Sequence, residues 1–542
     1  MAISHNSILT LLLVGAMCLF GCKKKTEQTH STPRQSAETT QYHPLPAPSE
    51  SIPSAEDEID PEEPDDIPVS QPVVKTRFEP TRNPRRPIIL AEQERKRNGF
   101  QPGDDFSIEA AIAMGELLRK EWPQLPQLDE RTLRSQGIRI IKGKHLTLCT
   151  DLPPSPEINR LPAIFDLAVL EYCRFFGVEP KHCNDWHIRG CLMDDLEKFH
   201  AADLLDQYPT HLPGYSVDNR LWVREQKSDD FRRHLLLHEG VHGFMNYVFG
   251  TCGQNFEWYM ESTAEYLATH RLKNGRLELG VMPENTDAIS GWRRIEFLLD
   301  DIKAGKLRTV DRVMQLPVRQ GEPPSDYAWV WAFGFLLDHH PQYRDVYRDM
   351  ARWLTFRDFT NRFYLQLDKV NHWGKLQIDW LCLLDELGYG YDVPRMVIEP
   401  QPGKTLTSSV TFEVDVSRGW QSSSVMLEAG QPYRITANGR YQLEDNPKAW
   451  YAEPNGVTLR YHNGQPLGLL LGAVVPDELF DTDSGISPDN VPFLSPIPIG
   501  PGIELTPEQS GTLYLRINDF PTELADNKGE CQVVIEANSS DR

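Results

Sequence analysis

Arg232-Arg233-His234-Leu235-Leu236-Leu237-His238-Glu239-Gly240-Val241-His242 holds two histidines four residues apart, with a glutamate directly after the first. Residues i and i+4 share one face of an α-helix, so His238 and His242 can aim their imidazoles at one point. Leu235, Leu236 and Leu237 give the helix apolar flanks, and the pattern predicts helix over 230–247. Nineteen residues past His242 stands Glu261, on a second predicted helix over 256–270. Two imidazoles and a carboxylate make a donor set that holds zinc and leaves one coordination position open. Glu239 is then the natural general base for an attacking water. These residues point to a zinc-dependent hydrolase.

Outward from this stretch, the chain on the N-terminal side predicts a helix over 107–122, stopped by Pro123. A hairpin follows, with strands 138–141 and 145–149 around Lys142-Gly143, then an apolar helix over 158–176 ended by Gly177. A short strand over 220–224 immediately precedes the histidine stretch. Its place in the order suggests a strand beside the cleft that pairs with extended substrate. On the C-terminal side, helices are expected at 291–302, 327–339, 343–353 and 376–387. After Pro400-Gln401-Pro402-Gly403 the hydrophobic period changes to two, with strands at 424–427, 433–437, 457–461, 512–517 and 532–536. The expected fold class is α+β: a mostly helical domain over 101–398 with a small sheet at its start, then an all-β sandwich over 399–542.

The first hundred residues read differently. Residues 8–20 form an apolar run of signal-peptide length that ends in Leu19-Phe20-Gly21-Cys22, and three lysines follow. This resembles a bacterial lipobox, which implies that 1–22 is a lipoprotein-type signal and that Cys22 carries lipid. A cleaved secretory signal and an uncleaved anchor are the alternatives. Residues 23–100 are rich in Pro, Ser, Thr and acidic side chains, too polar to offset the entropy of ordering, and read as a disordered tether. The expected location is the cell envelope, lipid-anchored, in the periplasm or on the cell surface. The formal net charge of -22 removes the electrostatic case for a nucleic-acid partner. Of nine cysteines, seven lie past the leader. An exported chain permits disulfides, Cys183 and Cys191 could close a short loop, and the odd count leaves one thiol over.

The histidine stretch and Trp258-Tyr259-Met260-Glu261-Ser262-Thr263-Ala264-Glu265 together resemble the gluzincin, or peptidase-MA-like, zinc metalloproteases. Their pattern is H-E-x-x-H, eighteen residues, then a Glu commonly set in W-x-x-E-G-x-A-E. Residues 243–260 are that spacer; Trp258, Glu261, Ala264 and Glu265 match, and Ser262 replaces the Gly. The resemblance implies a zincin-like fold, a peptide or protein substrate, zinc ligands His238, His242 and Glu261, and Glu239 as base. Glu265, one turn past Glu261, would orient a ligand imidazole. Tyr327, opening an aromatic helix, would stabilise the oxyanion. His234 shares the face of His238 and reads as an extra ligand, a substrate contact or a packed histidine.

Residues 511–519 with Asp526-Asn527-Lys528-Gly529, and Gly430-Gln431 and Pro466-Leu467-Gly468 before them, resemble the galactophilic lectins of the PA-IL type. That implies Ca²⁺ held by Asp519, Asp526 and Asn527, with His462 and Gln465 near a sugar, although Glu523 stands where the family has a hydroxyl. Two rival functions remain open. One is a non-catalytic cell-surface carbohydrate-binding protein with a relic zinc site. The other is a zinc amidase acting on peptidoglycan stem peptides.

Overall fold

The computed structural model describes residues 106–538 apart from 253–255, 319–322, 371–372, 446–447 and 483–484, together with Gln93. The expected leader, the lipidation site Cys22 and, save Gln93, the tether lie outside the described residues. Among the described residues no helix is long and apolar enough to cross a membrane.

A five-stranded sheet opens the helical part. Its strands are β1 (Arg139–Lys142), β2 (Leu146–Thr150), β3 (Ile188–Met193), β4 (Gly214–Val217) and β5 (Arg220–Arg224), in the order β1-β2-β3-β5-β4. β1 and β2 form the expected antiparallel hairpin. β3 runs parallel to both β2 and β5, and β4 returns antiparallel along β5. The strand at 220–224 is therefore interior, which corrects its expected place beside the cleft. Leu221 and Val223 are buried in one core cluster and Trp222 in another, so both faces of the strand are covered. The edge belongs to β4, whose four half-buried residues carry little strand pattern.

The helices that matter for the site are α1 (Ile108–Arg119), α2 (Pro156–Phe175), α3 (Asp229–Val248), α4 (Glu257–Ala268), α5 (Arg294–Lys303), α6 (Pro324–His339) and α7 (Trp373–Glu386). α3, the histidine helix, starts at Ser228, whose hydroxyl accepts from the Phe231 N–H at 3.2 Å. Asp229 and Asp230 sit in its first turn, where negative charge suits the helix dipole. α2 crosses it at Gly240. A Cβ there would lie 2.7 Å from the Phe165 ring and 3.0 Å from the Tyr172 hydroxyl, which instead donates to the Leu237 carbonyl at 2.9 Å. α4 stops at Ala268, short of the expected His270. Asn274 and Gly275, both with positive φ, turn a hairpin of β6 (His270–Lys273) and β7 (Arg276–Leu279). The expected helix at 343–353 divides into an α-helix (Arg344–Asp349) and a 3-10 turn (Met350–Trp353).

Beyond α7 the regular elements are strands, apart from one four-residue helix and short 3-10 turns. One sheet comprises β8 (Lys404–Thr405), β10 (Gln421–Leu427), β14 (Asn455–His462), β15 (Gln465–Val475), β16 (Ile497–Pro498) and β18 (Gly511–Ile517). The other comprises β9 (Val410–Asp415), β11 (Tyr433–Asn438), β17 (Gly502–Leu505) and β19 (Glu530–Ala537). A separate ribbon pairs β12 (Tyr441–Glu444) with β13 (Trp450–Ala452). Leu513 and Leu515 from the first sheet meet Ile435, Val533 and Ile535 from the second in one buried cluster. The first sheet is also covered on its back. Leu471, Val475 and Tyr514 pack with Ile378 and Leu381 of α7.

An ion pair crosses the same contact. Glu386 of α7 accepts from Arg516 at 3.0 and 2.9 Å, and its carboxylate lies 3.1 Å from His462 Nε2. His462 and Gln465, expected near a sugar, are the paired ends of the β14–β15 hairpin. The His462 ring is buried against Phe520 and Glu386. The cysteines also differ from expectation: Cys183 lies against Cys173, and Cys191 against Cys149 across β3 and β2.

Removing one partner of a buried pair leaves the other charge uncompensated, which costs about 3–5 kcal/mol. Glu386→Ala is expected to destabilise the chain by that order in urea unfolding. Burial works against the Glu386 charge, but Arg516 and His462 outweigh it and hold the carboxyl below its ordinary 4.5. The stabilisation is therefore complete above pH 4.5 and fades as acid carries the pH down through the lower folded value. The variant should lose that part of the wild-type pH dependence.

Candidate metal centre

α3 and α4 cross so that His238, His242 and Glu261 converge, as their spacing predicts. The Nε2 atoms of the two histidines are 3.1 Å apart, and Glu261 Oε2 lies 3.3 Å from one and 3.4 Å from the other. These atoms fit a single ion. Ligands about 2.0–2.1 Å from a tetrahedral metal are separated by about 3.3 Å. The tautomer points the same way. His238 Nδ1 lies 3.3 Å from Glu265 Oε1, so an Nδ1–H donated there leaves Nε2 with a lone pair facing the other two acceptors. Three acceptors turned on one another repel unless a cation sits among them. The group is one that can hold a metal.

Without a metal, a proton answers the same demand. Burial opposes charge on His238, yet Glu261 and Glu265 raise it to about 10. Burial likewise works against the Glu261 carboxylate, and the two histidines hold it at about 2.

Glu265 is buried one turn beyond Glu261 and does more than face His238. Arg294 of α5 grips it with Nε and Nη2, both at 3.0 Å, and His234 Nε2 lies 3.3 Å from its second oxygen. His234, Glu265 and His238 form a second cluster of metal-ligand type, but the cation bound to that carboxylate is Arg294 itself. His234 is thus turned to Glu265 and stacks on Phe231, with ring centroids 5.6 Å apart. Burial lowers its proton affinity and keeps it neutral.

Glu239 faces the same cleft. Burial raises its pKa, while His238 and His242 pull it back, and the Ser216 hydroxyl hydrogen-bonds to it. β4 runs alongside at Gly214, where a Cβ would stand 2.5 Å from Glu239 Oε1. Tyr327 lines the opposite wall, its ring 6.4 Å from the His238 ring and 5.7 Å from the Arg294 guanidinium carbon. Burial, followed by the carboxylates nearby, pushes its hydroxyl up and keeps the proton on it. Leu212, Phe231, Leu235, Met260 and Pro324 make the rest of the cleft largely apolar. Gly214, Ser216 and Arg294 carry no mark in the sequence. None stands in a spacing that would single it out, since β4 and α5 reach the site only through the tertiary fold.

In the β part, Asp519 and Asn527 meet. Asp519 Oδ2 accepts from Asn527 Nδ2 at 2.9 Å, and Oδ1 accepts from the Phe520 N–H at 2.8 Å. Burial lifts Asp519 to about 6 against those hydrogen bonds. The Asp526 carboxylate accepts from the Asp445 N–H at 3.2 Å.

Glu265→Gln breaks the link between Arg294 and the Nδ1 of His238. Losses of about 10–100-fold in metal affinity are typical for such partners, and competition with a chromophoric chelator should show one of that size. Because the metal-free group carries a proton, metal binding at neutral pH is expected to release it, with apparent affinity rising as pH rises. Calorimetry in buffers of different ionisation heat reads that proton directly.

No family model matches the chain, and no curated protein matches it. Among solved structures, the chain is similar to the N-terminal domain of EclA, a PllA-like lectin, at 20% identity. That match covers 23% of this chain and 94% of the other, with a TM-score of 0.18. It is also similar to the IMPa metallopeptidase, solved in complex with T-antigen, at 10% identity over 66% of this chain, with a TM-score of 0.13. The match spans only 38% of that protein's length. At these TM-scores neither similarity bears on the chemistry of the site.

Proposed function

We propose that this chain is a zinc-dependent peptidase of gluzincin type. The observation that supports it most is the convergence of His238 Nε2, His242 Nε2 and Glu261 Oε2 within 3.1–3.4 Å of one another, in a cleft that also holds Glu239. Two imidazole nitrogens and one carboxylate oxygen suit zinc by donor type and number. When bound, the metal supplies Lewis-acid polarisation and makes water a nucleophile at neutral pH.

The chain's own residues do the remainder. Glu239 takes the proton of the attacking water and passes it to the leaving nitrogen. Its raised proton affinity suits both halves of that task, and Ser216 with the bare Cα of Gly214 fixes where the carboxylate sits. Tyr327 keeps its hydroxyl proton and donates toward the oxygen of the attacked carbonyl. β4 has β5 on one side only among the described strands, so its other edge offers backbone groups to an extended peptide. The lipobox-like leader supports a place in the cell envelope, held by lipid on Cys22 with residues 23–100 as a tether.

Glu239→Gln is expected to retain the metal and lose about 10²–10⁴-fold in peptide hydrolysis, measured on a mixed peptide library by mass spectrometry. Full activity in that variant, or activity that survives stripping of the metal by chelator, would sink the proposal. Gly214→Ala should reduce turnover with metal content unchanged, because its methyl group displaces only the Glu239 carboxylate.

A further inference from the structure

Four of the seven cysteines beyond the leader lie in two sulfur pairs that the spacing along the chain does not suggest. Cys173, near the end of α2, has its Sγ 3.7 Å from that of Cys183, in the turn Pro180–Cys183 that leads toward β3. Cys149 of β2 and Cys191 of β3 are direct partners in the parallel ladder. Residues directly opposed on neighbouring strands point to the same face, and strands are about 4.8 Å apart. A disulfide needs Cα atoms about 4.4–6.8 Å apart, a range that includes the spacing of paired strands. The Cys149 and Cys191 thiols are close enough to shift each other's proton affinity in opposite directions. All four residues are at most 2% exposed, so glutathione or a second chain cannot reach the thiols after folding.

We infer that Cys173–Cys183 and Cys149–Cys191 are two disulfide-forming sites, oxidised while the chain folds. The oxidant is a disulfide of the thiol–disulfide exchange class, carried by a protein or a small molecule. In each pair one cysteine thiolate attacks the external disulfide, forms a mixed disulfide and expels one external thiolate. The second cysteine, as thiolate, then attacks the sulfur of its own partner, forms the protein S–S bond and releases the other external thiolate. Two electrons pass from the protein pair to the external disulfide. The two protons lost by the cysteines end on the two external thiols.

The pairs are nested, the first lying inside the loop closed by the second, so both can form in one chain. Both act on β3. One bond ties the turn before it to α2, and the other ties its middle to β2. β3 joins the hairpin half of the sheet to β5 and, through β5, to the β4 edge of the cleft. Its pairings are parallel and distant in sequence, which are slow to form and gain most from a covalent link.

The inference takes its oxidising surroundings from the export reading, so the test supplies them independently. The full chain is sent to a bacterial periplasm behind a heterologous export signal, denatured without reductant, alkylated and mapped by mass spectrometry. Linked peptides joining Cys173 to Cys183 and Cys149 to Cys191 are expected, with Cys252, Cys382 and Cys531 alkylated. Alkylation of the four, or a Cys183–Cys191 link, would overturn the assignment. A Cys183→Ala variant should expose Cys173 to alkylation and leave the Cys149–Cys191 link intact. Refolding the reduced wild type in a glutathione redox buffer should yield the same two links, and scrambled pairs there would count against the proposal as well.

Discussion

A carboxylate without water must find its compensation inside the protein, and the organisation of the cleft depends on how Glu265 does so. It is 2% exposed and meets three groups: the Arg294 guanidinium, His234 and the Nδ1 of His238. A buried ion left unpaired would cost several kcal/mol. Arg294 supplies the positive charge, which holds Glu265 ionised well below the ordinary carboxylate range despite its burial. An ionised Glu265 is acceptor-only, so the nitrogen of His238 that faces it must carry a proton. The opposite nitrogen is then the one left to face His242 and Glu261, where it holds a proton or gives it up to offer a lone pair to a metal. One ion pair between α4 and α5 thus decides the chemical character of a third helix.

That decision needs helices at close range, and two glycines allow it. At Gly240, between His238 and His242, the absent side chain lets α2 approach until Tyr172 reaches a backbone carbonyl of α3. At Gly334 of α6, a Cβ would stand 3.0 Å from the Ser262 carbonyl oxygen and 2.8 Å from the Tyr347 hydroxyl. That hydroxyl bonds to Ser262 and Thr263, the two residues before the Ala264 that precedes Glu265. Ser262, which differs from the glycine usual at this place in gluzincins, is therefore anchored between α6 and the helix that comes after it. The departure from the pattern is accommodated by a hydrogen bond inside the core.

The parts of the site that could be read from the sequence were those governed by a local period. His238 with His242, and Glu261 with Glu265, each share a helix face by spacing, the resemblance to the gluzincin pattern linked the two helices, and the structure brings these four and Glu239 into one cleft. Tyr327 also lines it, at the start of an aromatic helix. Gly214, Ser216 and Arg294 could not be read, because their roles depend on distances between elements that share no period. β4 escaped for a related reason: an edge strand with four half-buried residues has no alternation to detect. Other misses had a readable cause. Asn274-Gly275 and Asn463-Gly464 each carry positive φ at both positions, the condition for a tight hairpin turn. The first marks the β6–β7 hairpin where a helix was expected to run on. The second marks the β14–β15 hairpin, which places His462 and Gln465 as ladder partners.

The β part shows the same logic at a larger scale. A free-standing sandwich keeps one face of each sheet in water, with polar side chains at the outward positions. Here β15 is buried from Leu467 to Val475 and β18 along its whole length, because α7 covers the back of their sheet. Arg516 points to that back and would be a stranded charge without Glu386. His462 is drawn into the same contact and packs at a tilt against Phe520, next to the Asp519 that meets Asn527. The residues that the lectin resemblance would turn toward a ligand are therefore continuous with the joint to the helical part. Phe520 packs on the His462 that faces Glu386, and Arg516 joins Glu386 to the Asp519 carbonyl oxygen at 3.1 Å, so that end of the sandwich and α7 share one contact.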